Sequence, residues 1–419
     1  MDSNIEGHSR DQVRECWCVF FIFFVTLLAP GFANGEPDCG CTGDTCRITD
    51  TSTLETCAAG DALANKVVYL DGTFTPSMHL VVPEGSTWRA MAWHFADDDD
   101  ACTLDTSATI DGSLLPNAPG EIFGKGVVTL SEGSALTGVR ITNVDPYIST
   151  NPCLDVIGDA TVTDVHTTAC SIGQRYMTPH SNQSASFAIS HSCVSDTVIT
   201  GLLVATGDIR ITEGKIDPET ELFAPVEDSK ASITIDRSRI VDGLFNVLIF
   251  GGLGSTGAET TANINATHMV SSTFAAIRVV GGQDNMLDPY PGDHGSTVTV
   301  ELGKDNVISD GIVGLQIEGG TFGGVPMASM QTSTGNEATV IIDESTSFGD
   351  YLFDAALIGS AGNLVDERSG NVVFAGEHNR ITLTGKSPPG FTVDVQECSP
   401  GFLACPTSNE TTCLVEGCP

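Results

Sequence analysis

"DGLFNVLIFGG" occupies residues 242–252 and "DGIVGLQIEGG" residues 310–320. Each opens on a polar turn, continues with apolar residues at alternate positions and ends on two glycines. Alternation with period two marks a half-buried strand. A chain that repeats turn, strand and glycines in this order is building the same piece of structure more than once.

Aligning on the double glycine gives four lines: "SITIDRSRIVDGLFNVLIFGG" (232–252), "ANINATHMVSSTFAAIRVVGG" (262–282), "TVTVELGKDNVISDGIVGLQIEGG" (297–320) and "TVIIDESTSFGDYLFDAALIGS" (339–360). Each holds an alternating stretch, a polar turn, a second alternating stretch and glycine. Earlier segments at 186–207 and 129–143 echo the pattern, and 371–385 is a shortened copy. The common part is about 20 residues long, with variable insertions after the glycines. Units this short bury only one face each, so they must stack. No amphipathic helical window separates the strands, which excludes a βαβ chain. The expected fold is all-β: a single-stranded parallel β-helix of about nine coils, spaced by ~4.8 Å. Asp242, Asp310 and Asp350 are expected at one corner of successive coils. Gly252 and Gly320 are expected to bend the backbone sharply out of the strand.

The stretches "NKVVYLDGTFTPSMHLVVPEGSTWRA" (65–90), "SATIDG" (107–112) and "GSALTGVRITN" (133–143) resemble the first coils of the pectate-lyase-like β-helix superfamily. The resemblance spans residues 63–392. It implies a right-handed helix with three sheets per turn, an architecture that many polysaccharide lyases and hydrolases share. It selects no family, and likeness of fold does not assign chemistry. The superfamily's calcium aspartates and catalytic arginine have no matching set on "SHSCVSDTVITG" (190–201). That segment reads as turn chemistry, with Cys193 expected to bond Cys170 or Cys153.

Residues 18–29, "CVFFIFFVTLLA", form an apolar run followed by small residues near Ala33–Gly35. The run suits a secretory signal and is short for a membrane span. The acids and arginines before it are atypical of a signal, which leaves an uncleaved anchor as the alternative. Residues 1–35 are therefore assigned to a signal peptide, 36–62 to a Cys-rich N-terminal cap, 63–392 to the parallel β-helix and 393–419 to a Cys-rich C-terminal segment. Of 14 cysteines, Cys16 and Cys18 fall in the signal, leaving 12, an even number. Export and even count predict disulfides, clustered at the two ends where a β-helix needs capping. Sequons at Asn182, Asn265 and Asn409 fit a secreted glycoprotein.

Lys and Arg total 18 against 54 Asp and Glu, a formal charge of −36. Nucleic acid and anionic membrane surfaces need a basic patch and are excluded as partners. The expected partner is polysaccharide or a cell-surface glycan, outside the cell. No cofactor is specified. "FADDDDAC" (95–102) reads as a solvated acidic loop, since neighbours in extended chain point opposite ways. Weak calcium binding elsewhere on so acidic a surface is compatible with the composition, without a defined site.

If Val247 and Ile249 point inward, Leu248 and Phe250 point outward, followed by Arg278 and Val280, then Gln316 and Glu318. Arg278 is one of few cations. The insertion "QDNMLDPYPGDHGS" (283–296) adds Asp288, Tyr290, Asp293 and His294 beside it. Arg278, Glu318, Asp288, Tyr290, Asp293 and His294 are the candidate catalytic set. A carboxylate, a guanidinium, a phenol and an imidazole are what lyase or glycosidase chemistry needs. The bland alternative is a long turn with an Arg–Glu ion pair. On the first strand of each coil, the outward row is expected to read Asp236, Asn265, Glu301, Asp343, a solvated polar edge rather than a substrate cleft, since a glycan on the sequon Asn265 would cover that face. An ice-binding array is rejected because the row Thr234, Asn263, Thr299, Ile341 is too mixed. "GLGSTG" (252–257) matches a dinucleotide pattern but no helix follows it. Three classes remain: an enzyme (lyase, hydrolase or epimerase), a non-catalytic adhesion module, and a structural surface or matrix protein.

Overall fold

The computed structural model describes residues 38–95, 102–115, 125–143, 152–207, 226–282, 294–320, 335–358, 363–366, 371–374, 379–386, 391–396 and 413–416. The expected signal peptide, residues 1–35, lies outside them. Among these residues the chain is a parallel β-helix. One long sheet has thirteen strands in chain order. Its first strand, Cys41–Thr42, and its last, Cys413–Glu416, run antiparallel to their neighbours. That leaves eleven parallel rungs, where about nine coils were expected. The stack starts early, because Thr45–Ile48 in the Cys-rich segment already pairs in parallel with Val67–Leu70.

Alternation sets what each rung buries. In Lys230–Asp236, Ala231, Ile233 and Ile235 point inward and are at most 3% exposed. The aligned residues of the next rung, Thr260, Ala262 and Ile264, are likewise buried. Stacking these rows gives one continuous apolar core from Ile48 to Leu383. Each fully buried Ile or Leu contributes ~2 kcal/mol.

The second sheet has fifteen strands and wraps around two faces of the helix. Short strands such as Arg239–Val241 and His268–Val270 form one face. Phe245–Leu253 and Ala275–Val280 form the other. Four long strands, His166–Thr178, Cys193–Gly207, Val307–Glu318 and Ser347–Ile358, run through the corner between them. At that corner the backbone is left-handed on six successive rungs: Ala169 (φ 56°), Asp196 (52°), Asp242 (61°), Ser271 (59°), Asp310 (61°) and Asp350 (56°). The register Thr168–Ser195, Val194–Ile240, Val241–Val270, Val270–Ser309 and Ser309–Gly349 puts them in one column. The opening phrase recurs because Asp242 and Asp310 must make the same left-handed step. Asp tolerates it better than branched residues do.

The glycines serve differently from the expectation. Neither Gly252 nor Gly320 has a positive φ. A Cβ at Gly251 would run into the carbonyl of Gly281, and one at Gly281 into that of Gly319. Gly251 and Gly281 are needed for close stacking of coils rather than for a bend, and a Cβ at Gly320 would run into the Asn379 side chain.

At the corner between the long sheet and the short strands, side chains satisfy turn amides one rung along. The amides of Val165, Ser192, Ser238 and Thr267 donate to Ser192 Oγ, Ser238 Oγ, Thr267 Oγ1 and Asn306 Oδ1, respectively. All four acceptor residues are buried. This ladder meets the requirement that buried amides find partners.

The disulfides pair Cys39 with Cys57, Cys41 with Cys46, Cys102 with Cys193 and Cys153 with Cys170. The expected bond from Cys193 to Cys170 or Cys153 is not formed. Cys153 and Cys170 belong to the inner core, whereas Cys193 lies outside it and meets Cys102. At the N-terminal end, the helix Thr51–Ala58 is capped by Asp50, whose Oδ1 accepts from Thr53 N at 2.9 Å. The helix buries Leu54 and, through Cys57, ties down the first hairpin. Cys398, Cys405 and Cys418 lie outside the described residues. No helix among the described residues is long and apolar enough to cross a membrane.

Candidate functional site

The register of the glycine-ended strands is the one read from the sequence. Leu248 pairs with Arg278 and Arg278 with Gln316, while Phe250 pairs with Val280 and Val280 with Glu318. These side chains do point out of the helix. The face is nonetheless covered. Leu203, Leu248, Phe250 and Val280 form a second apolar cluster outside the main core, each at most 6% exposed.

Arg278 and Glu318 are brought together as partners. Arg278 Nε donates to Glu318 Oε1 at 2.8 Å and Nη2 to Oε2 at 2.9 Å. The Glu318 side chain is fully buried and that of Arg278 is 19% exposed. Gln316 Nε2 donates to Glu318 Oε1 as well. The guanidinium lies 5.3 Å from the centre of the Phe245 ring. A two-pronged pair of this kind is strong and fixes both groups. It must open before Glu318 can accept a proton or Arg278 can bind a substrate carboxylate.

The other members of the set are not gathered there among the described residues. His294 sits where the chain enters the long sheet, bridged to Thr256, its amide donating to Ser255 O at 2.9 Å. Burial pushes its imidazole below the ordinary histidine range. Asp288, Tyr290 and Asp293 lie outside the described residues, as do most of the insertions 208–231 and 321–336 and the run Ala96–Ala101.

A second buried ion pair on the same outward row escaped the sequence reading. Arg175 donates through Nε and Nη2 to Asp155 at 3.0 and 2.8 Å, and both side chains are at most 2% exposed. The two residues are direct register partners. The only signal was their outward parity in "CLDVIG" and "IGQRYM".

The open face belongs to the long sheet. Its register places Ser186, Ser232, Thr261, Thr299, Thr339 and Thr382 in one outward row over six rungs. None of the six is buried. Two expected rows are corrected by this register. Thr299 aligns with Thr261, not with Asn263, and Glu301 aligns with Asn263, not with Asn265. The sequence alignment slipped by two residues because the turns between the paired strands differ in length from coil to coil. The row of Thr234 and Asn263 continues through Glu301 and Ile341 and stays mixed, while Thr299 belongs to the neighbouring row, which is an uninterrupted line of hydroxyls.

Beside it runs the row Ser184, Lys230, Glu259, Thr297, Glu337, Arg380. Lys230 and Glu259 pair at 2.6 Å, and Arg380 and Glu337 at 3.5 Å, all well exposed. The hydrogen bond to Glu259 raises the Lys230 ammonium above its ordinary range. Where the two rows begin, a recess of ≈ 450 Å³ is lined by Asp159, Ser186, Lys230, Ser232, Glu259 and Thr261. It offers hydroxyl donors and acceptors, one cation and two carboxylates on a flat, rigid base.

No protein-family model and no curated protein sequence matches the chain. Several solved structures are similar to it. The enzymatically active domain of tailspike protein 2 from bacteriophage CBA120 is 9% identical at a TM-score of 0.39, over 80% of this chain and 44% of that one. The A-module of a mannuronan C-5 epimerase from Azotobacter vinelandii is 10% identical at 0.35, over 84% and 91%. An alginate lyase from a Paenibacillus species is 10% identical at 0.31, over 76% and 98%. The chain spans less than half the length of the tailspike domain. At such identities and scores the assignment of the fold rests on the strand pairing of this chain.

Proposed function

We propose that this is a secreted β-helix protein that binds extracellular polysaccharide along the hydroxyl row of its long sheet, with the sequon Asn265, two rows away on the same face, unglycosylated. The hydroxyl row from Ser186 to Thr382, with the recess at its start, carries the reading. Rungs recur every ~4.8 Å. That is close to the advance of one sugar in an extended chain, so a glycan along the helix axis meets one hydroxyl per rung. Each hydrogen bond contributes only ~1 kcal/mol net, and several in line give useful affinity. Glu259, Glu301 and Glu337 beside the row, on a chain of charge −36, favour neutral glycans over polyuronates. The even cysteine count, the disulfides and the apolar run at residues 18–29 support secretion.

The enzyme reading keeps Arg278 and Glu318, with Asp288, Tyr290, Asp293 and His294, as its residues. It requires the Arg278–Glu318 pair to open on substrate. The test places the mature chain on neutral, uronic-acid and sulfated polysaccharides, with and without calcium. Binding, new reducing ends and new unsaturated ends are followed together. Binding to a neutral glycan without either product supports the proposal. Unsaturated ends that vanish in Arg278→Ala establish a lyase instead, and no binding to any glycan ends the proposal.

A further inference from the structure

His166 and Cys193 are register partners on adjacent rungs, and both point outward from the short-strand face. Cys102 reaches them from another part of the chain. The two sulfurs and a His166 ring nitrogen all lie within 4.8 Å of one another. His166 is only 6% exposed.

The hydrogen bonds around His166 decide which nitrogen is available. Thr168 Oγ1 donates to the Asp196 carboxylate at 3.1 Å. Ser195 Oγ donates to Thr168 Oγ1 at 3.1 Å. Ser195 has thus used its proton and accepts from His166 Nε2 at 3.1 Å. This chain ends on an acceptor-only group, so it runs in one direction and puts the imidazole proton on Nε2. Nδ1 is left with a bare lone pair. It is buried and has no hydrogen-bond partner. A buried acceptor without a partner is costly, and it belongs to an imidazole that has a ring nitrogen within 4.8 Å of both sulfurs.

We propose that Cys102, Cys193 and His166 Nδ1 form a redox-gated site for a thiophilic divalent cation such as zinc. In the oxidised protein the sulfurs are bonded to each other and the site is closed. An external dithiol transfers two electrons and two protons to the disulfide. It leaves as its own disulfide, and Cys102 and Cys193 become thiols. Binding of a divalent cation then releases both thiol protons, giving a neutral unit of two thiolates and one imidazole. Ligand–ligand distances around zinc with this donor set are roughly 3.4–3.8 Å. Parting of the sulfurs moves the cluster toward that spacing. The Nε2–Ser195–Thr168–Asp196 chain is the outer hydrogen bonding that holds a ligating imidazole in one tautomer. Arg140 and Arg239 are aligned with His166 and Cys193 on the neighbouring rungs. Three protein donors leave a fourth position open.

Cobalt is the probe, because thiolate ligation gives it an intense near-ultraviolet charge-transfer band. The full chain is reduced with a dithiol, freed of it without air and titrated with Co²⁺, beside unreduced protein. Other cysteines also gain thiols on reduction, so the reading is the difference between wild type and Cys193→Ser. The expected result is about one Co²⁺ per chain more in reduced wild type than in reduced Cys193→Ser. No such difference is expected in unreduced protein. His166→Ala should weaken that extra site about tenfold or more, while His268→Ala, on the same face, leaves it intact. Circular dichroism confirms that each variant keeps its strands. Equal cobalt binding in wild type and Cys193→Ser overturns the proposal. So does unchanged affinity in folded His166→Ala, or an equal loss in His268→Ala.

Discussion

Arg278 on one rung and Glu318 on the next hold each other through two hydrogen bonds, and Glu318 has no exposed surface. Removing one partner leaves the other buried without compensation, at a cost of about 3–5 kcal/mol. Arg278→Ala should therefore lower the denaturation midpoint markedly. Arg278→Met with Glu318→Leu should recover most of the loss, since an apolar pair of similar size is often neutral. Urea denaturation of the two variants checks this. Full stability of Arg278→Ala would mean that the pair is not buried in solution.

The pair Arg175–Asp155 is more deeply buried. Arg175→Met should destabilise by at least as much as Arg278→Met in a side-by-side denaturation. A milder effect would argue that burial does not set the cost on this face.

His166 predicts a pH dependence in the oxidised protein. Burial first, then the charge of Arg140, lowers its pKa from 6.5 to about 4, against an opposing pull from Asp196. The unfolded chain binds this proton below ~6.5 and the folded one only below about 4. Stability from this group is complete above ~6.5 and is lost as pH falls toward 4, by up to ~3 kcal/mol. His166→Gln should flatten the pH 7 to 4.5 difference in the denaturation midpoint. An unchanged slope would refute the assignment.

On the long sheet, Thr299→Val and Thr339→Val remove hydroxyls while keeping shape and strand preference. Each should weaken glycan binding about two- to tenfold, in line with one lost hydrogen bond, and leave thermal stability nearly unchanged. Titration calorimetry with the best glycan from the panel measures both variants. If neither changes affinity, the ligand does not lie on this row.

The left-handed column offers a stabilising change. Ala169 adopts φ 56° without a side chain that can hydrogen-bond locally. Ala169→Gly should stabilise by about 1 kcal/mol, because glycine escapes the steric penalty at this angle. A thermal melt decides the sign.

Much of the fold was legible because inward side chains repeat with period two. The spacing of Val247 and Ile249 before Gly251 and Gly252 fixes both register and direction on its own face. The same logic slipped on the long sheet, where Thr299 had to be aligned across turns of unequal length. A two-residue slip preserves inside and outside but changes which residues share a row. The outward set around Arg278 was read with correct parity. What alternation does not carry is whether an outward face stays open. Leu248 and Phe250 were apolar residues pointing out, and their covering was the missed clue. Cys193 was misassigned for a related reason, since spacing along the chain does not tell which side of the wall a sulfur faces.

The long sheet begins and ends on strands that run against the stack, Cys41–Thr42 and Cys413–Glu416. A pile of nearly identical rungs has no intrinsic length, and a bare terminal rung would template another chain as readily as its own. Reversing the last strand at either end presents the wrong polarity for continued parallel growth. The two reversals break the parallel repeat at both ends of the long sheet, so neither end offers the edge that its own rungs stack on.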